Sequence, residues 1–216
     1  MKEARIAALV GDYYHKPESM VTALTSAAGA ARLDSYTDPA LLPWDDLHRY
    51  STLIIAREAR LAPAESAAVW IDERLEHAIQ TFVEAGGGLV ALHAGLASYG
   101  RGGPYFKTVR GGFLFHPEEH PRFSLRRSEE SHPILEGFRQ FEIQDEMYFV
   151  RVDSARTTRL LETASADFGS SAAAWAHASG AGRVFCFTPG HRAEVLSHPA
   201  YLGFLEKGVL WASGLI

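Results

Sequence analysis

A single cysteine, Cys186, occurs among 216 residues, so no disulfide can form within the chain and a reducing compartment is the expected setting. No apolar stretch approaches the roughly 18 residues needed to cross a bilayer, and Met1-Lys2-Glu3-Ala4-Arg5 lacks the apolar core of a signal peptide. Together these absences predict a cytoplasmic protein with no membrane partner. Runs of like charge are also missing: 21 basic and 26 acidic residues are scattered to a formal net charge of −5, which offers nothing to nucleic acid. There is no His-Glu-x-x-His helix and no paired cysteine knuckle, which argues against a standard structural zinc site. Neither Ser98 nor Ser170-Ser171 sits in a Gly-x-Ser-x-Gly frame, which argues against a serine hydrolase. Gly86-Gly87-Gly88 and Gly100-x-Gly102-Gly103 do not follow a first strand, so no nucleotide cofactor is expected.

What remains is ample for a core. With 47% hydrophobic residues, the chain is expected to form one domain over residues 1–216. Ile6 to Val10 reads as a strand, and Pro17 opens a helix to about Ala30. Strands over Arg32 to Tyr36 and Leu53 to Ala56 follow, and this β-α-β start predicts parallel pairing. Helical spacing of Ile71, Leu75, Ala78, Ile79, Phe82 and Val83 predicts a helix from Pro63 to about Ala85. Leu89 to Leu92 is a buried strand ending at His93, with Ala94 to Tyr99 expected to begin a helix whose amino end faces a pocket. Between Gly100 and Gln140 glycine and proline pairs accumulate, and the stretch reads as a long shaped loop with a short strand at Phe123 to Arg127. Later strands are expected at Phe141 to Gln144 and Leu160 to Thr163. Ala172 to Ala178 and Arg183 to Thr188 form an antiparallel hairpin that delivers Gly190-His191. The closing helix carries Tyr201, Leu202, Phe204, Leu205, Val209, Leu210 and Trp211. That apolar face either packs on the sheet or pairs subunits in a homo-oligomer.

Several of these segments recur together in one order: Gly86-Gly87-Gly88 with Leu92-His93-Ala94, Gly111-Gly112-Phe113 with His116-Pro117, His132-Pro133-Ile134, Asp145-Glu146-Met147-Tyr148, and Gly182-Arg183-Val184 with Gly190-His191. From about Ile6 to Ala212 the chain resembles the ThuA-like, or trehalose-utilisation, family. The resemblance implies an α/β fold of flavodoxin-like type close to class I glutamine amidotransferases. That is a three-layer sandwich with a mostly parallel sheet and a C-terminal antiparallel hairpin. It also implies sugar catabolism, on a saccharide or an oxidised (keto) sugar. This sequence departs from the amidotransferases in carrying His93 where they carry cysteine, and Cys186 lies within a strand, where a buried thiol stays protonated and inert.

The chemistry then rests on histidine and carboxylate. His15, His93 and His191 each follow a different strand, and in a parallel sheet those ends share an edge. Imidazoles meeting there either bind a divalent metal, zinc or similar, or move protons. The catalytic candidates are His93, Glu146 and His191; the metal candidates are His15, His93 and His191. For each, the structural alternative is a satisfied core histidine, a turn, or a solvated loop. Asp145, Tyr14, Tyr99, His116 and Tyr148 are candidates for binding a small-molecule carbohydrate, the tyrosines by stacking on sugar faces. His120 and His132 precede prolines and read as turn residues. Arg57 and Glu58 either reach the cleft or form a surface ion pair. The expected reaction is hydrolase, lyase or isomerase chemistry on carbohydrate, with a non-catalytic amidotransferase-like ligand-binding or interaction module as the alternative. A thiol hydrolase built on Cys186 is a further rival.

Overall fold

Alternation along the first strand decides the layering. The computed structural model describes residues 4–63, 67–128 and 130–216. In β1 (Arg5–Val10) the side chains of Ile6, Ala8 and Val10 enter one core, and those of Ala7 and Leu9 enter another. A strand buried on both faces needs apolar residues at every position, which is why this run is continuous rather than alternating. Helix α1 (Pro17–Ala27) covers the first face. It stops before the expected Ala30 because Gly29 takes a left-handed φ of 58°.

Next come β2 (Arg32–Tyr36), β3 (Thr52–Ala56), α2 (Glu73–Glu84) and β4 (Gly88–Leu92). Helix α2 covers the second face through Leu75, Ile79, Phe82 and Val83. It begins ten residues later than the spacing predicts. Asp72 caps it by accepting from Leu75 N at 2.8 Å, while Val69 and Trp70 are held extended by bonds to the chain at Ala59 and Arg60. Residues 64–66 of the expected helix, and Met1 to Glu3, lie outside the described residues.

The stretch expected as a long loop is more ordered than the sequence suggests. It holds α3 (Pro104–Val109), β5 (Gly111–Phe115) and β6 (Arg122–Arg127). Gly111 and Gly112 read as turn formers, but here they let a strand pass rings. A Cβ on Gly111 would lie 2.6 Å from Trp175, and one on Gly112 would lie 2.8 Å from Phe106. Strands β7 (Phe141–Gln144), β8 (Phe149–Val152), β9 (Thr158–Ser165), β10 (Gly169–Ser179) and β11 (Gly182–Phe187) follow, then α4 (Ala193–Leu196) and α5 (Pro199–Ala212).

Among the described residues the large sheet runs β2-β1-β3-β4-β11-β10-β9-β6-β7. Its first five strands are parallel. Beyond β11 the expected hairpin is extended by further antiparallel strands, β9, β6 and β7. A separate ribbon pairs β5 with β8. The apolar face of α5 is buried against the sheet by Tyr201, Phe204, Leu205 and Val209, so packing on the sheet accounts for it. No helix among the described residues is long and apolar enough to cross a membrane.

Strand direction positions the site. The carboxyl ends of β1, β3, β4 and β11 open on one edge, and the order reverses between β1 and β3, the place where such sheets form a crevice. The expected helix at Ala94 to Tyr99 is instead one 3₁₀ turn, His93–Leu96. Gly95 is pressed so closely to β3 that a Cβ would fall 2.0 Å from the Ile55 carbonyl. Ser98 then turns the chain aside at φ 65°, donating to Glu58 Oε1 at 2.7 Å.

One buried imidazole lies outside this edge. In β10, His177 donates Nε2–H to the Thr108 carbonyl at 2.9 Å, and its Nδ1 is sealed without a partner. Burial, together with the charge of Arg110, pushes its pKa down to about 4. The unfolded chain therefore binds this proton first. His177 contributes stability above pH ~6.5 that is lost as pH falls toward 4. Between pH 7 and pH 5, urea unfolding is expected to show wild type losing about 2 kcal/mol more than His177→Gln. Parallel losses in the two proteins remove His177 from the acid-sensitive groups.

Candidate metal centre

The β1–α1 loop builds the first corner from an aspartate turn. Asp12 Oδ1 accepts from Tyr14 N at 2.9 Å and His15 N at 3.0 Å, and Oδ2 accepts from Glu58 N at 2.9 Å. Burial opposes its charge, but His15 and these amides hold the carboxyl down at about 2. Since Asp12 is an acceptor, His15 carries its proton on Nδ1, 2.7 Å from Asp12 Oδ1, and turns a bare Nε2 inward.

His93 repeats the device at the end of β4. Its Nδ1–H donates to the Thr188 carbonyl at 2.7 Å, which turns Nε2 toward Glu146 and makes it the nitrogen available to a metal. That nitrogen is buried, has no hydrogen-bond partner, and lies 3.3 Å from Glu146 Oε2. The backbone is held at φ 42°, a left-handed conformation that histidine tolerates better than most residues. The ring packs on Tyr148, centroids 4.3 Å apart.

His191 is set by a buried carboxylate. Asp145, fully enclosed, accepts from the backbone N–H of Gly190 at 2.7 Å, His191 at 3.3 Å and Arg192 at 2.9 Å. This grip orients the turn after β11 so that His191 Nδ1 comes within 3.1 Å of His15 Nε2. Burial lowers the His191 pKa to about 4. Glu146 opposes that shift, and the neighbouring imidazoles add to it.

Glu146 enters from the antiparallel half of the sheet, just past β7. Its Oε2 lies 3.3 Å from His93 Nε2 and 3.4 Å from His191 Nδ1, while Oε1 faces His120 at 3.7 Å and His116 at 3.8 Å. Burial resists ionisation, yet His93 and the surrounding imidazoles hold the carboxyl at about 2. The same pairing raises the His93 pKa against the strong opposing effect of burial. One ligand atom each from His15, His93, Glu146 and His191 lies within 4.8 Å of the others. Two neutral imidazole nitrogens 3.1 Å apart repel unless a proton or a cation stands between them. Three nitrogens and one carboxylate oxygen make a donor set that suits zinc or a related divalent ion.

The other expected site residues divide. Tyr14 is exposed at the rim, edge-on to His15, and Tyr148 backs His93. His116 lies on the outer side of Glu146, with Nδ1–H donating to the Pro117 carbonyl at 2.6 Å. Two expectations of substrate contact are corrected. Asp145 is sealed beneath the His191 turn with its oxygens taken by amides, and Tyr99 is buried against Tyr105 with its hydroxyl donating to the Arg57 carbonyl at 2.7 Å. Arg57 and Glu58 brace the loops: Arg57 donates to the carbonyls of Gly11 and Thr37, and Glu58 accepts from Arg60 and Ser98. Cys186 is buried and its pKa pushed well up, which leaves it no nucleophilic role.

Two members escaped the sequence reading. His120 was read as a turn residue, yet its His-Pro pair repeats that of His116 and both return to Glu146. Asp12 stands three residues before His15, the spacing at which an aspartate turn brings a carboxylate onto a following imidazole.

With this geometry in place, the comparisons with known proteins are concordant. The family model ThuA, described as trehalose utilisation, matches residues 7–212. A ThuA-like protein from Parabacteroides merdae superposes with TM-score 0.76 at 15% identity, over 98% of this chain and 90% of that one. A ThuA-like protein from Bacteroides uniformis gives 0.75 at 17% identity, over 98% and 93%. A beta-galactosidase from Rahnella sp. R3 contains the same fold (TM-score 0.67, 12% identity); all of this chain matches 32% of that longer one. No protein of curated function matches.

Asp145→Asn sets an amide NH₂ against backbone N–H groups that now meet a carboxylate. Chemical denaturation is expected to show a loss of about 1–3 kcal/mol. Divalent-ion affinity, measured by titration calorimetry, is expected to fall with it as the His191 turn loosens. An unchanged affinity in a destabilised protein separates Asp145 from the centre.

Proposed function

Given that the chain belongs to the ThuA, or trehalose-utilisation, family, we propose that it is a carbohydrate-processing enzyme holding one divalent cation on His15, His93, His191 and Glu146. The observation that carries this reading is the convergence of those four ligand atoms, with the Nδ1 positions of His15 and His93 tied to acceptors that leave Nε2 bare. The strand order β2-β1-β3-β4-β11 supports a flavodoxin-like assignment within the α/β class. The lone cysteine, buried and unpaired, is in keeping with action in the cytoplasm.

The substrate class is a saccharide or an oxidised (keto) sugar, and the chemistry is hydrolase, lyase or isomerase in type. A bound divalent ion supplies a Lewis acid for a carbonyl or hydroxyl oxygen. The protein's own groups do the rest. Glu146 Oε2 belongs to the ligand set, whereas Oε1 faces away from it and is the atom that accepts and returns a proton. His116 and His120 border that oxygen and bind substrate hydroxyls from the outer side. Exposed Tyr14 offers a ring for the apolar face of a sugar, and Tyr148 holds the His93 ring in register.

Elemental analysis of purified protein is expected to give one divalent ion per chain, with a clear fall in His15→Ala and His93→Ala. In a turnover screen of disaccharides and keto sugars, folded His93→Ala is expected to lose about 10² to 10⁴-fold in activity. A metal-free protein that binds sugar saturably and releases no product overturns the enzyme reading in favour of a ligand-binding module.

A further inference from the structure

A hydroxyl on a buried tyrosine usually ends on a hydrogen-bond partner. Among the described residues five tyrosines are buried, and four follow this rule. Tyr50 meets the Tyr36 hydroxyl at 2.9 Å, and Tyr99, Tyr105 and Tyr201 donate to the carbonyls of Arg57, Gly95 and Pro189 at 2.7, 2.9 and 3.3 Å. Tyr148 is the exception. It is 4% exposed, yet its hydroxyl has no hydrogen-bond partner among the described residues and is not sealed from solvent.

The ring that carries this hydroxyl is fixed beside the candidate metal centre. Met147 turns into the core, and the residues on either side of it both meet imidazoles. Glu146 faces His93 and His191, while Tyr148 lies nearly parallel to His93, centroids 4.3 Å apart, and to His116 at 6.1 Å. Phe113 packs on it at 4.4 Å. Of the charged groups around the hydroxyl, Glu146 acts on it most strongly. The neighbouring polar atoms are mostly acceptors: Glu146 is a carboxylate, and His116, whose Nδ1–H is engaged by the Pro117 carbonyl, offers Nε2 as an acceptor when neutral. Sugar hydroxyls donate to such groups, whereas a carbonyl oxygen has no hydrogen to give. A phenol keeps its proton until pH ~10, so Tyr148 supplies the donor that a carbonyl oxygen needs.

We infer that Tyr148 is a catalytic residue whose hydroxyl donates to the carbonyl oxygen of a keto sugar. This rests on the sugar-enzyme reading above and selects the keto form within it. Glu146 Oε1 takes a proton from the carbon beside the carbonyl, the C–H electron pair becomes a C=C bond, and the carbonyl π pair moves onto oxygen. The Tyr148 O–H meets that charge by a hydrogen bond and keeps its own proton. Such a donor holds the charged oxygen more strongly than the neutral carbonyl, and that difference is what accelerates the step.

The test is Tyr148→Phe, which keeps a ring against His93 and removes only the hydroxyl, compared with wild type in the metal state in which each is isolated. Because that hydroxyl has no partner to lose, thermal unfolding and metal content by elemental analysis are expected to match wild type. On a keto sugar found in the turnover screen, kcat is expected to fall about 10² to 10³-fold with KM little changed. Titration calorimetry with acetohydroxamate, which presents a carbonyl oxygen and an anionic oxygen side by side, is expected to show binding weaker by at least about tenfold. Full turnover or unchanged acetohydroxamate affinity in the variant overturns the inference, as does a loss of metal that accounts for the lost activity. A wild type that turns over only sugars without a keto group overturns the carbonyl assignment and leaves the sugar-enzyme reading standing. A wild type that neither turns over a keto sugar nor binds acetohydroxamate overturns it as well, and metal content of the same sample then shows whether the metal reading falls with it.

Discussion

A donated Nδ1–H is the interaction on which the centre depends. Asp12 takes it from His15 and the Thr188 carbonyl takes it from His93. In each case the acceptor is itself held, by backbone amides in one and, just past β11, by the bond from Thr188 N to the Ala173 carbonyl in the other. Without these bonds an imidazole presents either nitrogen as donor or acceptor. With them, both rings are committed to one tautomer and aim a lone pair at the same point. His191 Nδ1 and Glu146 Oε2 are brought to the same point, so that four ligand atoms lie within 4.8 Å of one another. The surrounding fold holds them there, which is what preorganisation means in physical terms.

The two halves of the sheet divide this work. Parallel strands β1, β4 and β11 deliver three imidazoles to one edge, the first on an aspartate turn, the second where the backbone is pressed on β3, and the third on a turn gripped by Asp145. Gly95 against Ile55 and the left-handed His93 are the tightest of these. The antiparallel half contributes the acid groups. Past β7 the chain lays down Asp145 and Glu146 in succession, one gripping the His191 turn from beneath and the other entering the ligand set. Adjacent residues thus serve opposite ends of the same histidine. The β5–β8 ribbon closes the arrangement by placing Phe113 against Tyr148, and Tyr148 against His93.

Much of the fold was legible because parallel strands buried on both faces must be apolar throughout. Ile6 to Val10, Leu53 to Ile55 and Leu89 to Leu92 stand out for that reason, and their neighbours Pro17, Asp38-Pro39 and Gly86 punctuate them. Less was legible between Gly100 and Gln140. There glycines serve strand packing against Trp175 and Phe106, so local signals for turns appear inside β5. The late start of α2 escaped for a similar reason: the apolar period continues through Ile71, but a bridge to Arg60 holds the preceding chain extended.

By itself the sequence determined which residues carry polar chemistry at strand ends: His15, His93 and His191 each follow an apolar run, and Asp145-Glu146 follows another. It also determined that these runs alternate with helices, and hence that several strands are parallel and their ends shared. Only tertiary structure decided which carboxylate faces the imidazoles and which lies beneath a turn, that Tyr99 belongs to the core, and that His120 returns to Glu146. The reason is physical. Strand and helix formation follow from local periodicity and burial, whereas the direction of a side chain from a loop depends on backbone bonds to residues far along the chain, such as those from Gly190, His191 and Arg192 to Asp145.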